Sequence, residues 1–185
     1  MKNKYPKLYL HGMHVSIAIP QDLPALVSLI NSAYRGKASK KGWTTEADLL
    51  QGKYRTDIPS LTAVMENKDA VLLKYVSENG DIKGCVYLHK QERGLYLGML
   101  TVSPLLQGSG IGKQLLKAAE VYAKENKCSS IFMNVISLRH ELIAWYERHG
   151  YRQTDERNPF PSDQRFGIPT QTLEFIIMEK EVNGE

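Results

Sequence analysis

The stretch Leu97-Gly98-Met99-Leu100-Thr101-Val102-Ser103-Pro104-Leu105-Leu106-Gln107-Gly108-Ser109-Gly110-Ile111-Gly112-Lys113 decides how the rest of the chain reads. An apolar run stops at a proline, a short loop carries Gly108, Gly110 and Gly112, and a helical pattern begins. Lacking Cβ atoms, the glycines let the main chain approach a ligand and present its N–H groups. The helix start adds N–H groups that have no intrahelical acceptor, and a partial positive charge. Together these make an anion cradle, and a phosphate is its natural occupant.

Spacing removes two phosphate motifs. A Walker loop, G-x-x-x-x-G-K-S/T, would place glycine at 107 and a hydroxyl at 114, where Gln107 and Gln114 stand. A dinucleotide fingerprint, G-x-G-x-x-G, begun at Gly108 or Gly110, would need glycine at 113 or 115, which are Lys113 and Leu115. What remains is Gln-Gly-x-Gly-x-Gly following a strand and a proline.

Outward from this loop the chain alternates strands and helices. Downstream, 109–126 is a helix with Ile111, Leu115, Ala118 and Tyr122 on one face, 130–135 a short buried strand, and 138–149 a helix closed by Gly150. Strands follow from Tyr151 and over 172–179. Upstream, 70–77, 82–90 and 95–102 form an antiparallel meander, its first turn being Asn79-Gly80 with both residues at positive φ, its second Glu92-Arg93-Gly94. Before that come a strand over 14–19, a helix capped by Asp22 and running to Tyr34, a second helix capped by Thr44 or Thr45 and running to Lys53, and a third after Asp57. The segments 36–42 and 158–169 read as loops, and residues 1–12 as an N-terminal arm ahead of one domain over 13–182. Strand, helix, strand across 95–135 implies a parallel pair within an otherwise antiparallel sheet.

Composition sets the outer limits. The chain has 185 residues, is 42% hydrophobic and 24% charged, and carries a net charge of +4. This is an ordinary globular balance, not that of a disordered or fibrous chain. No apolar run approaches the roughly 20 residues that span a bilayer, and no apolar stretch follows the N-terminal lysines, so the expectation is a cytoplasmic protein with no membrane partner. Cys85 and Cys128 read as reduced thiols. The basic cluster Lys37, Lys40 and Lys41 is too short for a nucleic-acid site. His11, His14, His89, His140 and His149 lack metal-ligand spacing, so no metal is expected.

The glycine loop resembles the acetyl-coenzyme A loop of the GNAT superfamily of N-acetyltransferases, Gln/Arg-x-x-Gly-x-Gly/Ala, matched by Gln107, Gly110 and Gly112. The resemblance covers about 71–151 and includes a second signature in Trp145-Tyr146-Glu147-Arg148-His149-Gly150-Tyr151. It implies an α/β fold: a mixed, mostly antiparallel sheet of about seven strands, helices on both faces, and one parallel pair splayed apart in the middle. It also implies the cofactor acetyl-coenzyme A, with coenzyme A as product. Its contacts would come from Met99, Leu100, Thr101, Val102, Gln107, Gly108, Ser109, Gly110, Ile111, Gly112, Lys113 and Tyr146. Seven residues before the tyrosine the family often has asparagine; here Arg139 stands there, and a guanidinium can pair with a cofactor phosphate instead.

Acetyl transfer to an amine needs a neutral amine, a polarised thioester carbonyl and a stabilised leaving thiolate. The resemblance makes Tyr146 the general acid at the sulfur, with N–H groups near Met99 and Leu100 as oxyanion donors. Leu95 to Val102 holds no carboxylate, so the candidate bases are Glu46 and Tyr96, with a water chain to a carboxylate equally open. Tyr34, Arg35, Trp43 and Glu46 are taken as the acceptor-side wall. The expected acceptor is a small-molecule or peptide amine, handled by a monomer or homodimer. A non-catalytic acyl-coenzyme A sensor and a lysine-modifying enzyme are the other readings of the same motifs.

Overall fold

The structure is a computed structural model that describes residues 14–163, 165 and 167–182. The arm expected at 1–12 lies outside the described residues. In chain order the elements are β1 (Val15–Ile17), α1 (Leu23–Tyr34), α2 (Gly36–Ser39), β2 (Leu50–Gln51), α3 (Ile58–Glu66), β3 (Ala70–Val76), β4 (Ile82–Lys90) and β5 (Leu95–Val102). There follow α4 (Ile111–Glu125), β6 (Ser130–Ile136), α5 (His140–Arg148), β7 (Arg152–Pro159), β8 (Ile168–Pro169) and β9 (Glu174–Glu181). Seven strands form one sheet in the order β1-β3-β4-β5-β6-β9-β7; β2 and β8 pair separately. The expected mixed α/β fold is therefore present, and β5–β6 is its parallel pair. No helix among the described residues is long and apolar enough to cross a membrane.

Side-chain alternation splits the core between the two sheet faces. On one face Leu26, Ile30 and Ala33 of α1 and Leu61 of α3 pack with Leu72 and Cys85. On the other, Leu115, Ala118 and Ala119 of α4 and Ile143 and Tyr146 of α5 pack with Leu73, Val86, Leu88 and Leu97. Gly84 sets how close α4 lies: a Cβ there would come within 2.9 Å of Ile111 and 3.0 Å of Leu115.

The sheet opens at its centre. β5 and β6 pair only at Leu95↔Ile131 and Tyr96↔Phe132, after which no pairing joins them. This seam explains why Gly98, Met99, Leu100 and Val102 are half-buried rather than sealed on both sides, as their apolar run suggested.

Four local expectations are corrected. Residues 44–53 are not a helix. Thr45 Oγ1 does accept from the Ala47 N–H (3.1 Å), and Leu50 N–H donates to the Glu46 carbonyl (2.9 Å), which amounts to one turn. Propagation stops because Leu50 pairs with Pro169 in β2–β8 and Gly52 sits at φ +135°. Asp22 does not cap α1: its carboxylate accepts from the Ile19 N–H (2.8 Å) and pairs with Lys74 (2.6 Å). At the first hairpin only Gly80 has positive φ. Its N–H donates to the Ser77 carbonyl (2.9 Å), and the Ser77 N–H to the Asp81 carbonyl (2.9 Å), the three-residue loop with a glycine bulge. The loops at 36–42 and 158–169 contain α2 and, at either end of the second, the last residues of β7 and all of β8.

Candidate active site

The site begins with a defect in β5. Cys85 pairs with Thr101 and Tyr87 with Gly98, so Val86 alone opposes Met99 and Leu100. Two residues against one is a β-bulge, which bends the strand and re-aims its peptide groups. Met99 takes φ +46°, a left-handed conformation that costs a residue with a Cβ about 1–2 kcal/mol. Both bulge carbonyls are held: the Thr101 hydroxyl donates to the Met99 carbonyl (2.8 Å) and the Tyr34 hydroxyl to the Leu100 carbonyl (2.7 Å).

At the strand's end Gly108 and Gly110 adopt φ +89° and +88°, and nothing lies within 4 Å of where their Cβ atoms would be. The space over this main chain is open. Gln114 N–H makes the first helical bond, to the Gly110 carbonyl (3.1 Å), which leaves the N–H groups of Ile111, Gly112 and Lys113 without helical acceptors. These residues fit a diphosphate: open space, orphan donors, a helix dipole and the nearby Lys113.

Gln107 does more than continue the loop. Its side-chain oxygen accepts from Trp43 N–H (2.8 Å) and Thr44 N–H (3.3 Å), and its amide nitrogen donates to Thr44 Oγ1 (2.7 Å) and the Val102 carbonyl (3.3 Å). Gly42 accommodates this clamp, since a Cβ there would sit 2.5 Å from Gln107 Oε1. Two residues beyond Thr44, Glu46 binds two guanidiniums, Arg35 at 2.6 Å and Arg139 at 3.4 Å, while Arg139 also donates to the Thr44 carbonyl (2.6 Å). The Gly42–Glu46 segment is thus tied to the glycine loop at one end and to the start of α5 at the other.

Two cavities meet behind this segment. The larger, about 250 Å³, is lined by the glycine loop, Leu100, Val102, Lys113, Trp43 and Trp145. The smaller, about 110 Å³, lies in the seam between Leu97–Leu100 and Met133–Ile136 and is lined also by Glu46, Arg55, Tyr96, Phe160 and Phe175. Tyr34, Leu100, Arg139, Leu142 and Tyr146 line both.

Of the residues expected from the sequence, Leu100, Val102, Gln107, Gly108, Gly110, Gly112, Lys113, Arg139, Trp43, Tyr34 and Tyr146 gather around the larger cavity. Met99, Glu46 and Tyr96 face the smaller one. The Thr101 and Ile111 side chains are buried in the fold, and Ser109 turns its hydroxyl to the Leu106 carbonyl (2.6 Å). Arg35 is buried behind Glu46 and lines neither cavity, and Arg139 is directed at Glu46 and Thr44. Sequence reading missed Leu142, Arg55, Asn134, Phe160 and Phe175. Only Leu142 had a local signal, the helical face it shares with Tyr146. The others come from separate strands and loops.

Burial sets the protonation of the phenols. Tyr146, 5% exposed, is pushed well above the usual phenol range by desolvation, with Tyr34 and Tyr151 adding to the effect. Tyr34 is raised to about 12, first by burial and then by Glu46. Tyr96 is raised by burial and eased by Arg55. All three keep their protons at neutral pH, so each can donate a hydrogen bond and none is a ready base.

A conserved-domain description, the acetyltransferase (GNAT) family, matches residues 24–151, which hold both the glycine loop and Tyr146. The chain belongs to this family. An acetyltransferase from Agrobacterium fabrum is 25% identical over 88 residues, 48% of this chain; the match spans 63% of that relative's length. Among solved structures, a ribosomal-protein-alanine N-acetyltransferase from Brucella melitensis superposes with a TM-score of 0.68 at 20% identity, covering 90% of this chain and 98% of that one. A GNAT acetyltransferase from Staphylococcus aureus superposes with a TM-score of 0.66 at 15% identity, covering 91% and 98%. At these identities the two structures speak for the fold.

Proposed function

We propose that this GNAT protein, as one domain over 13–182, transfers an acetyl group from acetyl-coenzyme A directly to a primary amine, with both substrates bound at once. The carrying observation is the pair of cavities that share the wall of Tyr34, Leu100, Arg139, Leu142 and Tyr146. A donor in one cavity and an acceptor in the other would meet at the bulge, so a covalent protein intermediate is not required. Acetyl-coenzyme A, when bound, supplies the acetyl group as a thioester.

The chain's own residues do the rest. The N–H groups at 108–113 and Lys113 hold the diphosphate. The β6-facing main chain of Leu100 and Val102, left without a strand partner, pairs with the extended arm of the cofactor as an added strand would. N–H groups at the bulge oppose the charge that develops on the carbonyl oxygen. Tyr146, held protonated by burial, donates a hydrogen bond to the departing sulfur as the C–S bond breaks and the C–N bond forms, and the thiolate so stabilised takes its proton from water. The amine's proton leaves through water to Glu46, the carboxylate of the acceptor cavity. The two guanidiniums on Glu46 make it first an anchor of the wall. Arg139, beside the amine, favours the amine's neutral form. Tyr96, protonated, serves as a wall rather than a base.

The test is thiol release from acetyl-coenzyme A across a panel of small amines and lysine peptides. Amine-dependent release supports the proposal. Tight cofactor binding with no acceleration by any amine would leave a sensor instead.

A further inference from the structure

β6 carries one residue out of keeping with its strand. Every other residue of Ser130–Ile136 is buried, and Asn134 alone is exposed. Asparagine is depleted in strands, and here it interrupts an apolar run from Ile131 to Ile136. Its side chain has no hydrogen-bond partner among the described residues. Its exposure is toward the seam, since Asn134 lines the smaller cavity.

Register places this side chain. Met133 and Val135 belong to the core on the α4 and α5 side of the sheet, so alternation turns Asn134 to the opposite face. Leu95 and Leu97 flank Tyr96 in the same way, and the Tyr96 ring meets Phe132, two residues before Asn134, at 5.5 Å between centroids. Parallel pairing stops at Tyr96↔Phe132. Carried two residues further, that register sets Asn134 across the seam from Gly98, next to Met99 of the bulge. The strand is fixed along its other edge, where β6 pairs with β9 from Ser130↔Glu181 to Ile136↔Phe175 without a break. A side chain on a strand held this way keeps its aim.

An attacking amine has a use for such a group. Its nitrogen gains positive charge as the C–N bond forms, so an oxygen that accepts one of its N–H bonds holds it more tightly in the transition state than before. Glu46 is engaged by Arg35 and Arg139, and the Tyr34 hydroxyl is given to the Leu100 carbonyl. Asn134 Oδ1 is still open as an acceptor. Being neutral, it accepts an N–H without favouring the ammonium over the amine, as an unpaired carboxylate would.

We propose that Asn134 binds the acceptor, its Oδ1 accepting one N–H of the amine and so turning the nitrogen lone pair toward the thioester at the bulge. This rests on the acetyltransferase reading. Phenethylamine, glycinamide and Nα-acetyllysine are the probes, and the one that the wild type acetylates fastest is carried through. Asn134→Leu keeps the volume and continues the apolar run of the strand, so a residue that merely met solvent would tolerate it without loss of rate. Loss of a hydrogen bond to a nitrogen that becomes charged predicts instead a kcat lower by about 10- to 100-fold, with the KM of the amine and the Kd of coenzyme A changed less than about threefold. Asn134→Asp, which keeps an oxygen at the same reach, should recover part of the loss. Independently of turnover, the side-chain amide resonance of Asn134, assigned by its absence from Asn134→Asp, should move when the probe amines are titrated onto protein saturated with coenzyme A. A kcat for Asn134→Leu within about twofold of wild type, an Asn134→Asp no faster than Asn134→Leu, or a resonance that stays in place overturns the assignment and leaves the acetyltransferase reading standing. If no probe is acetylated, the acetyltransferase reading fails; a resonance that still moves would uphold the amine site, and one that does not would remove it.

Discussion

Replacing Glu46 by alanine is expected to destabilise the protein far more than a surface carboxylate would. The Arg35 side chain is 1% exposed and that of Glu46 11%, so their 2.6 Å contact is screened by almost no water. Arg139, 9% exposed at its side chain, leans on the same carboxylate. Deleting Glu46 strands buried positive charge, and breaking a buried pair from one side costs about 3–5 kcal/mol. For a chain of this size each kcal/mol moves Tm by about 2–4 °C, so the melting point should fall by roughly 6–20 °C. Differential scanning calorimetry reads this directly. Adding Arg35→Met to the Glu46→Ala variant should restore part of the loss, because it removes the stranded charge. A drop under 2 °C for the single variant, or a double variant less stable than the single, would refute the idea that this cluster carries the 42–46 segment.

Tyr146→Phe should lower kcat by about 10²-fold or more with little change in the Kd of coenzyme A, measured by stopped assay and calorimetry, on the usual worth of a hydrogen-bond donor aimed at developing charge. Gln107→Ala deletes the bonds to Trp43, Thr44 and Val102; the amides of Trp43 and Thr44 should exchange with deuterium faster, with about 1 kcal/mol lost in a urea melt. Alkaline stability should decline between about pH 9 and 12. Cys85 and Tyr34, which start from 9.0 and 10.0, are both raised to about 12 by burial. Below pH 9 both are protonated in the folded and unfolded chains. Above it the unfolded chain sheds protons that the folded chain retains, so stability falls by up to about 1.4 kcal/mol per pH unit per group until the folded protein ionises as well. Urea midpoints from pH 8 to 11 that stay flat would contradict the burial of these groups.

The sheet and its long helices could be read from the sequence because their signals are local. The strand-like runs on either side of Asn79-Gly80, the stop at Pro104 and the glycines before Ile111 each act within a few residues, and the structure places β3, β4, β5 and α4 within about two residues of those readings. The failures share one cause, competition from a distant partner. Thr45 begins its helix turn, yet Leu50 is claimed by Pro169, more than a hundred residues away. Asp22 has the right identity for a cap, yet Lys74 and the Ile19 N–H take its carboxylate. Propensity lost wherever a tertiary bond offered the same group more.

The two cavities differ in legibility for the same reason. The larger is built largely from one contiguous strand, loop and helix start, so a diphosphate cradle can be recognised by spacing alone. The smaller draws Tyr34, Glu46, Arg55, Tyr96, Asn134, Phe160 and Phe175 from seven separate segments, and no spacing rule connects them. Glu46 shows what this costs the reader. As a string it is a first-turn acid of a helix; in the fold it is the counter-ion of two arginines from different elements. A family motif does not encode that pairing, because its three members come from separate segments of the chain.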